Sequence, residues 1–285
     1  MRIAVASGKG GTGKTTVATN LAYIASRNGR SVAYLDCDVE EPNGHIFLKP
    51  RITRSQPIGS LIPQVDAVKC THCGKCGEIC QYSAIVCVGE KVLVYPDLCH
   101  ACGGCVLVCP TGAISETPRE MGKLETGEAG GVHFVHGLLN VGEAMSPPLI
   151  RQVHAAAAAA DLVIMDSPPG TSCPVIESVR GADVVILVTE PTPFGLNDLK
   201  LAVEMVRALD LPFGVVINRA NVGDGETKAY CTDQRIEVLA EIPDDREVAW
   251  AYSRGQMACD VIPRYRQLYS DLLDRLMDRR PARAR

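Results

Sequence analysis

The chain has 285 residues, of which 46% are hydrophobic, and it carries a formal net charge of −4 at pH 7. This size and apolar content predict a folded protein of one large or two modest domains, and the absence of a dominant basic region argues against a nucleic-acid partner. No stretch approaches the roughly 18 uninterrupted apolar residues of a membrane span, and no charged and apolar leader precedes the first strand-like segment, so we expect a cytoplasmic protein without a membrane partner.

The first predicted elements are a strand, a helix and a second strand. The segment "RIAVAS" (2–7) is short and apolar, as expected of a buried strand. The helix starts at about Lys14, has apolar residues on one face, and meets a stop signal in the "NG" of residues 28–29. The second apolar strand, "SVAYLD", covers residues 31–36.

The loop between the first strand and the helix reads "SGKGGTGKTT" and contains the phosphate-binding pattern G-x-x-x-x-G-K-[ST]. Its glycines let backbone N–H groups approach phosphate oxygens, and the start of the helix favours negative charge. Lys14 is expected to reach the β- and γ-phosphates of ATP or ADP, and the Thr15 hydroxyl to ligate Mg²⁺. The alternative, a chance match in a glycine-rich turn, is disfavoured by the flanking strand and helix. The predicted nucleotide-binding residues of the loop are Gly8, Gly10, Gly11, Thr12, Gly13, Lys14, Thr15 and Thr16.

A cysteine-rich segment follows, in which nine of the thirteen cysteines fall between Cys70 and Cys109. Because the cytoplasm is reducing, metal ligation explains them better than disulfides do. The segment is an internal repeat: "CTHCGKCGEICQYSAI" from Cys70 resembles "CHACGGCVLVCPTGAI" from Cys99. Each copy contains C-x₂-C-x₂-C-x₃-C, the bacterial ferredoxin pattern in which the fourth cysteine of each set ligates the other cluster.

The eight cysteines of the repeat therefore predict two [4Fe–4S] clusters. One set is Cys70, Cys73, Cys76 and Cys109, and the other is Cys99, Cys102, Cys105 and Cys80. Zinc is the rival metal, but three close cysteines with a remote fourth suit the corners of a cubane better than a single tetrahedral ion. Gln81 stands where a proline usually follows the fourth cysteine, which affects turn geometry and not ligation. The spacer residues His72 and His100 are expected to point to solvent.

After residue 117 the alternation of apolar strands and helices resumes with a helix at 147–160, "DLVIMDSPPG", "ADVVILVTEP", "GLNDLKLAVEMVRALD" and "FGVVINRA". Near-continuous apolar strands separated by helices are typical of a parallel sheet covered on both faces. The predicted fold is an α/β, doubly wound, mostly parallel P-loop NTPase sheet with an inserted small ferredoxin-like α+β domain. The insert is predicted at 66–117, between two parts of the ATPase domain at 1–65 and 118–285.

The segment "KGGTGKTT" resembles the deviant Walker A motif of the MinD/ParA superfamily of P-loop ATPases, which includes the nitrogenase iron protein and the Mrp-type iron–sulfur carriers. The resemblance implies that Lys9 crosses a dimer interface to the phosphates of the partner's ATP. A second cation there stabilises the charge that develops during phosphoryl transfer. The competing interpretation of Lys9 is a solvated loop lysine.

Three further stretches match the same superfamily. "LDCDVEEPN" resembles its first switch, which implies that Asp36 lies near the Mg²⁺ shell and that Asp38 orients the attacking water. "VIMDSPPG" resembles its Walker B segment and makes Asp166 the magnesium-side acid, while "VVINRA" resembles its adenine-reading segment and makes Asn218 a candidate for contacts to the base. Each match is weak alone, because an Asp that ends a strand is often a cap or turn residue. The catalytic residues implied by the resemblance are Lys9, Lys14 and Asp38.

Cys173 lies beyond Asp166 at a spacing where the nitrogenase iron protein has a cysteine that ligates a cluster shared across its dimer. The resemblance implies an interface thiol that holds or passes a metal or cluster. The competing interpretation is a small buried thiol in a loop. The remaining cysteines are interpreted as buried or half-buried packing residues: Cys37, Cys87 in the hairpin "IVCVGEKVLVYP", Cys231 and Cys259.

The leading functional prediction is a dimeric Mg-ATP-hydrolysing iron–sulfur protein that couples its nucleotide state to two clusters for ATP-gated electron transfer. The alternative is an assembly factor or carrier for clusters or metals. A membrane-positioning ATPase is disfavoured because the polar face of the C-terminal helix carries acidic residues, and we expect that helix to pack, with "PARAR" as a loose tail. The dimer pairs two copies of this chain or this chain with a related ATPase. The further partner is a redox protein or a metallocluster client.

Overall fold

The structure is a computed structural model that describes residues 1–279, so the "PARAR" tail lies outside the described residues. The chain divides into two compact units. The first unit comprises residues 1–55, 124–138 and the chain from residue 150 onwards; the second comprises residues 56–123 and 139–149. The boundaries predicted for the insert, 66 and 117, stay a prediction.

The helices and strands alternate along most of the chain. The first are β1 (Arg2–Ala6), α1 (Lys14–Arg27), β2 (Val32–Asp36) and α2 (Gly44–Leu48). The middle contains β3 (Arg51–Val65), α3 (Lys75–Ile79), β4 (Ile85–Val88), β5 (Lys91–Val94), a 3₁₀ turn (Pro96–Leu98), α4 (Gly104–Leu107), β6 (Ile114–Ala129) and β7 (Val132–Leu139). The rest contains α5 (Pro147–Ala155), β8 (Leu162–Asp166), α6 (Cys173–Val179), β9 (Val184–Thr189), α7 (Pro193–Ala208), β10 (Phe213–Asn218), α8 (Glu226–Asp233), β11 (Val238–Ile242), α9 (Arg246–Ser253), α10 (Ala258–Val261) and α11 (Pro263–Asp278).

Nine strands form one sheet in the order β11-β10-β9-β1-β8-β2-β7-β6-β3. Every neighbouring pair from β11 to β7 is parallel. Strands β2, β8 and β9 are buried along their whole length, as expected where helices cover both faces of a sheet. The predicted mostly parallel α/β sheet is confirmed.

The main core lies between this sheet and its helices, and α11 contributes a large share of it. Tyr265, Tyr269 and Leu273 of α11 are at most 2% exposed and pack in the same cluster as Leu21 of α1. Burying a side chain of this size contributes about 1.5–3 kcal/mol to folding. The predicted packing of the C-terminal helix is therefore confirmed. Within residues 1–279, no helix is long and apolar enough to cross a membrane.

Two helix ends show how the local sequence acts. Helix α1 stops at the predicted "NG", where Asn28 donates its backbone N–H to Ile24 at 2.9 Å and Gly29 adopts a left-handed φ of 77°. Helix α5 ends at Ala155, so the helix predicted for 147–160 is too long. The Asp161 carboxylate accepts hydrogen bonds from the N–H and hydroxyl of Ser31. These hydrogen bonds fix the start of β8, and the alanine run therefore forms the connection between α5 and β8.

The second unit contains short elements around a small apolar cluster. Strands β4 and β5 pair antiparallel from Ile85 opposite Val94 to Val88 opposite Lys91, which confirms the predicted hairpin. Its buried cluster consists of Cys76, Ile85 and Ile114, with partly buried neighbours around them. The ferredoxin-like class of this region stays a prediction.

Candidate nucleotide site and cysteine cavities

The predicted phosphate loop joins β1 to α1 and borders open space on one side. A Cβ placed on Gly10 or Gly11 would meet no atom within 4 Å. On the other side the loop packs closely, because a Cβ on Gly8 would overlap the backbone of Asp198. Gly13, with a φ of 97°, turns the chain into the helix at the left-handed position that favours glycine. The loop is thus fixed on its inner side and open where a phosphate would lie.

Lys14 is the first residue of α1 and is only 7% exposed. Burial lowers the pKa of its ammonium group, and the negative charges of Asp166 and Asp38 partly oppose that shift. A buried cation at the start of a helix is stabilised by anions, and phosphate is one such anion. The position of Lys14 suits the predicted role.

The two predicted magnesium-side carboxylates lie at the ends of adjacent parallel strands. Asp36 ends β2 and Asp166 ends β8, and the two are direct register partners. The hydroxyl of Tyr34 donates to Asp166 Oδ2 at 2.8 Å. Asp166 Oδ1 is buried and accepts no hydrogen bond of good geometry. Burial raises the pKa of the Asp166 carboxyl, and the nearby Thr15 hydroxyl partly opposes that shift. A buried carboxylate oxygen with free acceptor capacity beside Thr15 fits a Mg²⁺ site.

The two oxygens of Asp36 are both used by the backbone of the following loop. Oδ2 accepts from the N–H of Gly44 at 2.9 Å and Oδ1 from that of Asp38 at 3.3 Å. Burial, and next the charge of Asp166, raises the pKa of Asp36 well above its usual value. Burial and the same neighbour raise the pKa of Asp38 to about 6. Asp38 and Asp166 therefore lie close enough to Lys14 for their charges to act on its ammonium group, and Asp36 lies beside Asp166.

Asn218, at the end of β10, reaches the phosphate loop. Its Nδ2 donates to the Thr12 carbonyl at 2.9 Å, and its Oδ1 accepts from the N–H of Arg219 at 3.0 Å. In this arrangement the Asn218 amide braces the loop, and its contact with a base stays a prediction. Lys9 is half-buried at the loop's tip, and its role across a dimer also stays a prediction.

Two residues of the nucleotide region, Tyr34 and Ser167, were not predicted from the sequence. Tyr34, fully buried in β2, is the hydrogen-bond donor that orients Asp166. The buried hydroxyl of Ser167 has no hydrogen-bond partner among residues 1–279. The hydroxyl of Thr12, a predicted loop residue, is likewise buried without a partner there. A tyrosine two residues before the strand-ending Asp36 was the available signal for Tyr34. For Ser167, the sequence offered no signal other than its position next to Asp166.

The repeat forms two separate cavities in the second unit, and each is lined by one complete predicted cysteine set. The first, here called cavity A, is lined by Cys70, Cys73, Cys76 and Cys109. The second, here called cavity B, is lined by Cys80, Cys99, Cys102 and Cys105. The structure thus exchanges the fourth cysteine between the two copies of the repeat, as the ferredoxin pattern implies.

The two copies also follow the same backbone path. They are offset by 29 residues, from Cys70 to Cys99. Left-handed φ values recur at this offset at three pairs of positions: His72 (56°) and Ala101 (52°), Gly74 (79°) and Gly103 (69°), and Ser83 (53°) and Gly112 (60°). Non-glycine residues rarely adopt such values, so their recurrence shows that the repeat is structural as well as sequential.

Backbone N–H groups of the repeat point at cysteine sulfurs. Ala84 donates to Cys80 Sγ at 3.3 Å, and at the equivalent position Ala113 donates to Cys109 Sγ at 3.2 Å. Burial raises the pKa of the Cys80 thiol, but several backbone N–H groups, Tyr82 foremost, outweigh it and leave the pKa below its usual value. Cys109 behaves in the same way. Hydrogen bonds that favour the thiolate favour metal ligation.

Within residues 1–279, no three His, Cys, Asp or Glu side chains converge as the ligands of one metal ion do. In a four-iron cluster, by contrast, each cysteine binds a different iron atom, so the ligands surround the group. Four thiols around a cavity fit that geometry. Both cluster assignments stay predictions.

The other cysteines differ in exposure. Cys37, Cys231 and Cys259 are buried and Cys87 is half-buried, as predicted. Cys173 is exposed at the first residue of α6, so the interpretation of a small buried thiol in a loop is wrong. His72 and His100 are exposed, as predicted.

The model of the CobQ/CobB/MinD/ParA nucleotide binding domain matches residues 3–258. The chain belongs to this family. Among the relatives of this CobQ/CobB/MinD/ParA protein, an uncharacterized protein of Methanocaldococcus jannaschii is 30% identical over 98% of this chain and 97% of its own length. The iron-sulfur cluster carrier protein of Aquifex aeolicus is 27% identical over 89% of this chain and 60% of its own length. The septum site-determining protein MinD of Pyrococcus horikoshii, complexed with Mg-ADP, has a similar fold, with a TM-score of 0.59 and 19% identity over 96% of this chain and 95% of that chain.

These findings confirm the MinD/ParA resemblance and the predicted relation to iron–sulfur cluster carriers. The chain is a nucleotide-binding protein of the P-loop ATPase superfamily. The relation to the nitrogenase iron protein stays a prediction.

Proposed function

We propose that this chain hydrolyses Mg-ATP as a dimer and couples its nucleotide state to two [4Fe–4S] clusters for ATP-gated electron transfer. The observation that carries the proposal is the presence, in one chain, of a phosphate loop and of two cavities that are each lined by four cysteines. A chain that only bound nucleotide would not need the eight cysteines, and a simple ferredoxin would not need the phosphate loop.

The nucleotide chemistry rests on side chains already in position. The loop N–H groups and Lys14 would bind the β- and γ-phosphates, and the Thr15 hydroxyl with Asp166 would hold Mg²⁺. Asp38, with its pKa raised to about 6, orients the attacking water. Lys9 lies outside this set and supplies its charge to the partner subunit's nucleotide. ATP binding thereby favours the closed dimer, and hydrolysis releases it.

The cysteine sets hold their clusters through four thiolates each. A bound [4Fe–4S] cluster supplies one-electron redox chemistry. Four cysteine ligands from the same chain, with backbone N–H groups directed at Cys80 and Cys109, favour retention of the cluster. Retention suits electron transfer better than delivery.

The proposal is tested with protein purified anaerobically. We expect about eight irons per chain. Cys73→Ser and Cys102→Ser each remove a ligand from one cavity and lower the iron content, whereas Cys87→Ser, a thiol of the same unit outside both sets, leaves it unchanged. Mg-ATP should accelerate electron delivery to an acceptor dye with all iron retained. Iron content near zero in all preparations contradicts the proposal.

A second candidate function is ATP-dependent delivery of iron–sulfur clusters. The iron-sulfur cluster carrier of Aquifex aeolicus and the exposed Cys173 favour it. Incubation with an apo-ferredoxin and Mg-ATP separates the two functions, because a carrier transfers its iron and an electron donor keeps it. Cys173→Ser should abolish such transfer if the thiol takes part, with Cys87→Ser as the matched control.

A further inference from the structure

The walls of the two cysteine cavities differ, although the cysteines themselves are related by the repeat. We propose that cavity A holds the cluster of higher reduction potential and cavity B the cluster of lower potential, so that a one-electron reductant fills them in a fixed order. The inference rests on the proposed function, since it requires both clusters to be bound.

The first difference lies at two positions next to the ligands. In cavity A, Thr71 follows the first cysteine and Thr111 lies two residues after the fourth. The 29-residue offset places His100 and Tyr82 at the equivalent positions of cavity B. At these two positions, hydroxyl side chains border cavity A and aromatic rings border cavity B, while cavity A has a single ring elsewhere in its lining, that of His72.

The two rings of cavity B form a single cover. Tyr82 and His100 stack with their centroids 3.4 Å apart and their planes inclined by 9°. A stacked pair presents a broad, weakly hydrated face, whereas two threonines leave a narrower wall to which water can hydrogen-bond. Limited access of water lowers the reduction potential of an iron–sulfur cluster, because the more negative reduced state is less well solvated.

The second difference is charge. Lys75 lines cavity A, and Glu116 lines cavity B. Glu78 lies near Gly74 of cavity A and offsets part of the positive charge of Lys75, so the surroundings of that cavity are close to neutral. Among the described residues that line cavity B, no lysine or arginine offsets Glu116. A cluster with four thiolate ligands is already anionic, and a further negative charge disfavours its reduction.

Hydrogen bonds to the sulfurs do not reverse this order, because they are equal in number. In cavity A, Cys109 Sγ is 3.2 Å from the N of Ala113 and 3.8 Å from the hydroxyl of Thr111. In cavity B, Ala84 donates to Cys80 Sγ at 3.3 Å, and Ala101 donates to Cys99 Sγ at 3.4 Å. Access of water and charge therefore decide the order, and both lower the potential of cavity B.

The test is a mediated potentiometric titration of the anaerobic protein, followed by EPR, after iron quantification. We expect two one-electron waves. When the first cluster is half reduced, the reduced-to-oxidised ratio of the second should be at least tenfold lower, which corresponds to about 59 mV. Tyr82→Thr combined with His100→Thr copies the wall of cavity A and should raise the lower wave alone. Thr71→His combined with Thr111→Tyr should lower the higher wave alone.

Two single variants keep the test valid if the double variants lose iron. Glu116→Gln removes an exposed charge and should raise the lower wave alone, whereas Tyr82→Phe retains the ring and should leave both waves in place. A common midpoint for both clusters, or a Glu116→Gln effect on the higher wave, overturns the inference while about eight bound irons still support the proposed function. Absence of iron overturns both.

Discussion

The nucleotide region and the cysteine repeat are stabilised in opposite ways. Lys14, Asp36 and Asp166 are at most 7% exposed. Asp36 and Asp166 end strands of the nine-stranded sheet, and Lys14 begins a helix that packs in the same core. In the repeat, the fully buried cluster consists of Cys76, Ile85 and Ile114, and Cys73 and Cys102 are exposed. Packing organises the site of the first region, whereas the repeat has a small buried cluster with partly buried valines and cysteines around it. The difference implies that nucleotide binding tolerates loss of metal, and that the repeat depends on metal for its structure.

Removal of iron is expected to have the largest effect, because it should change the repeat and leave the nucleotide region intact. Chelation under reducing conditions should remove protection from hydrogen exchange in α3, α4 and the β4–β5 hairpin, because the metal bonds replace a missing core. Strands β1 and β8 should keep their protection, and Mg-ADP should still bind. Hydrogen exchange read by mass spectrometry measures both regions in one experiment. Undiminished protection in the repeat would show that packing alone holds it.

Substitutions of two lysines test the nucleotide region separately from the repeat. Lys14→Ala should weaken ATP binding by about 100-fold, because a charge-assisted contact to the phosphates is lost. Lys9→Ala should retain ATP affinity but lower hydrolysis by about 100-fold or more, since the proposed role of its charge is at the partner subunit's nucleotide. Calorimetry and phosphate release measure the two quantities. Iron content should not change in either variant. Equal effects of both variants on ATP affinity would place Lys9 in its own subunit's site.

The smallest expected effect concerns the carboxylates in the absence of ligands. The pKa of Asp38 is raised from 3.8 to about 6, so the native state holds more protons than the unfolded state. Its contribution to stability is therefore present below about pH 4 and is lost as the pH rises through about 6. Asp38→Asn should stabilise the nucleotide-free, magnesium-free protein at pH 8 by about 1–2 kcal/mol and have little effect at pH 4. Thermal unfolding at the two pH values measures the difference, and an equal effect at both would contradict the account.

Local sequence patterns predicted much of this molecule, because they act over short distances. The phosphate loop, the ends of β2 and β8 and the β4–β5 hairpin all follow from glycine spacing or apolar runs. Strands β3, β6, β7 and β11 were missed. Strands β3 and β6 are long, carry many exposed polar residues and contain prolines or glycines, which are typical of loops. Their pairing is set by distant neighbours, which no local pattern encodes.

The same limit applies within the sites. The hydrogen bond between Tyr34 and Asp166 and that between Asn218 and Thr12 join residues far apart in sequence. Sequence spacing did place all eight repeat cysteines in the two predicted sets, because the motif itself encodes the exchange of the fourth ligand. It did not reveal the stacking of Tyr82 on His100, which lies across the repeat. A local motif in the sequence thus predicts its own residues, but it does not predict the contacts that those residues make with distant parts of the chain.

The central claim is that the nucleotide state is coupled to the clusters. The most direct test is the midpoint potential of the clusters, measured with Mg-ADP and with a non-hydrolysable ATP analogue, in the native protein and in Lys9→Ala. We expect a shift between the two nucleotides in the native protein and none in Lys9→Ala, because the proposed role of Lys9 is to complete the closed dimer. Identical potentials with both nucleotides in the fully iron-loaded native protein would contradict it.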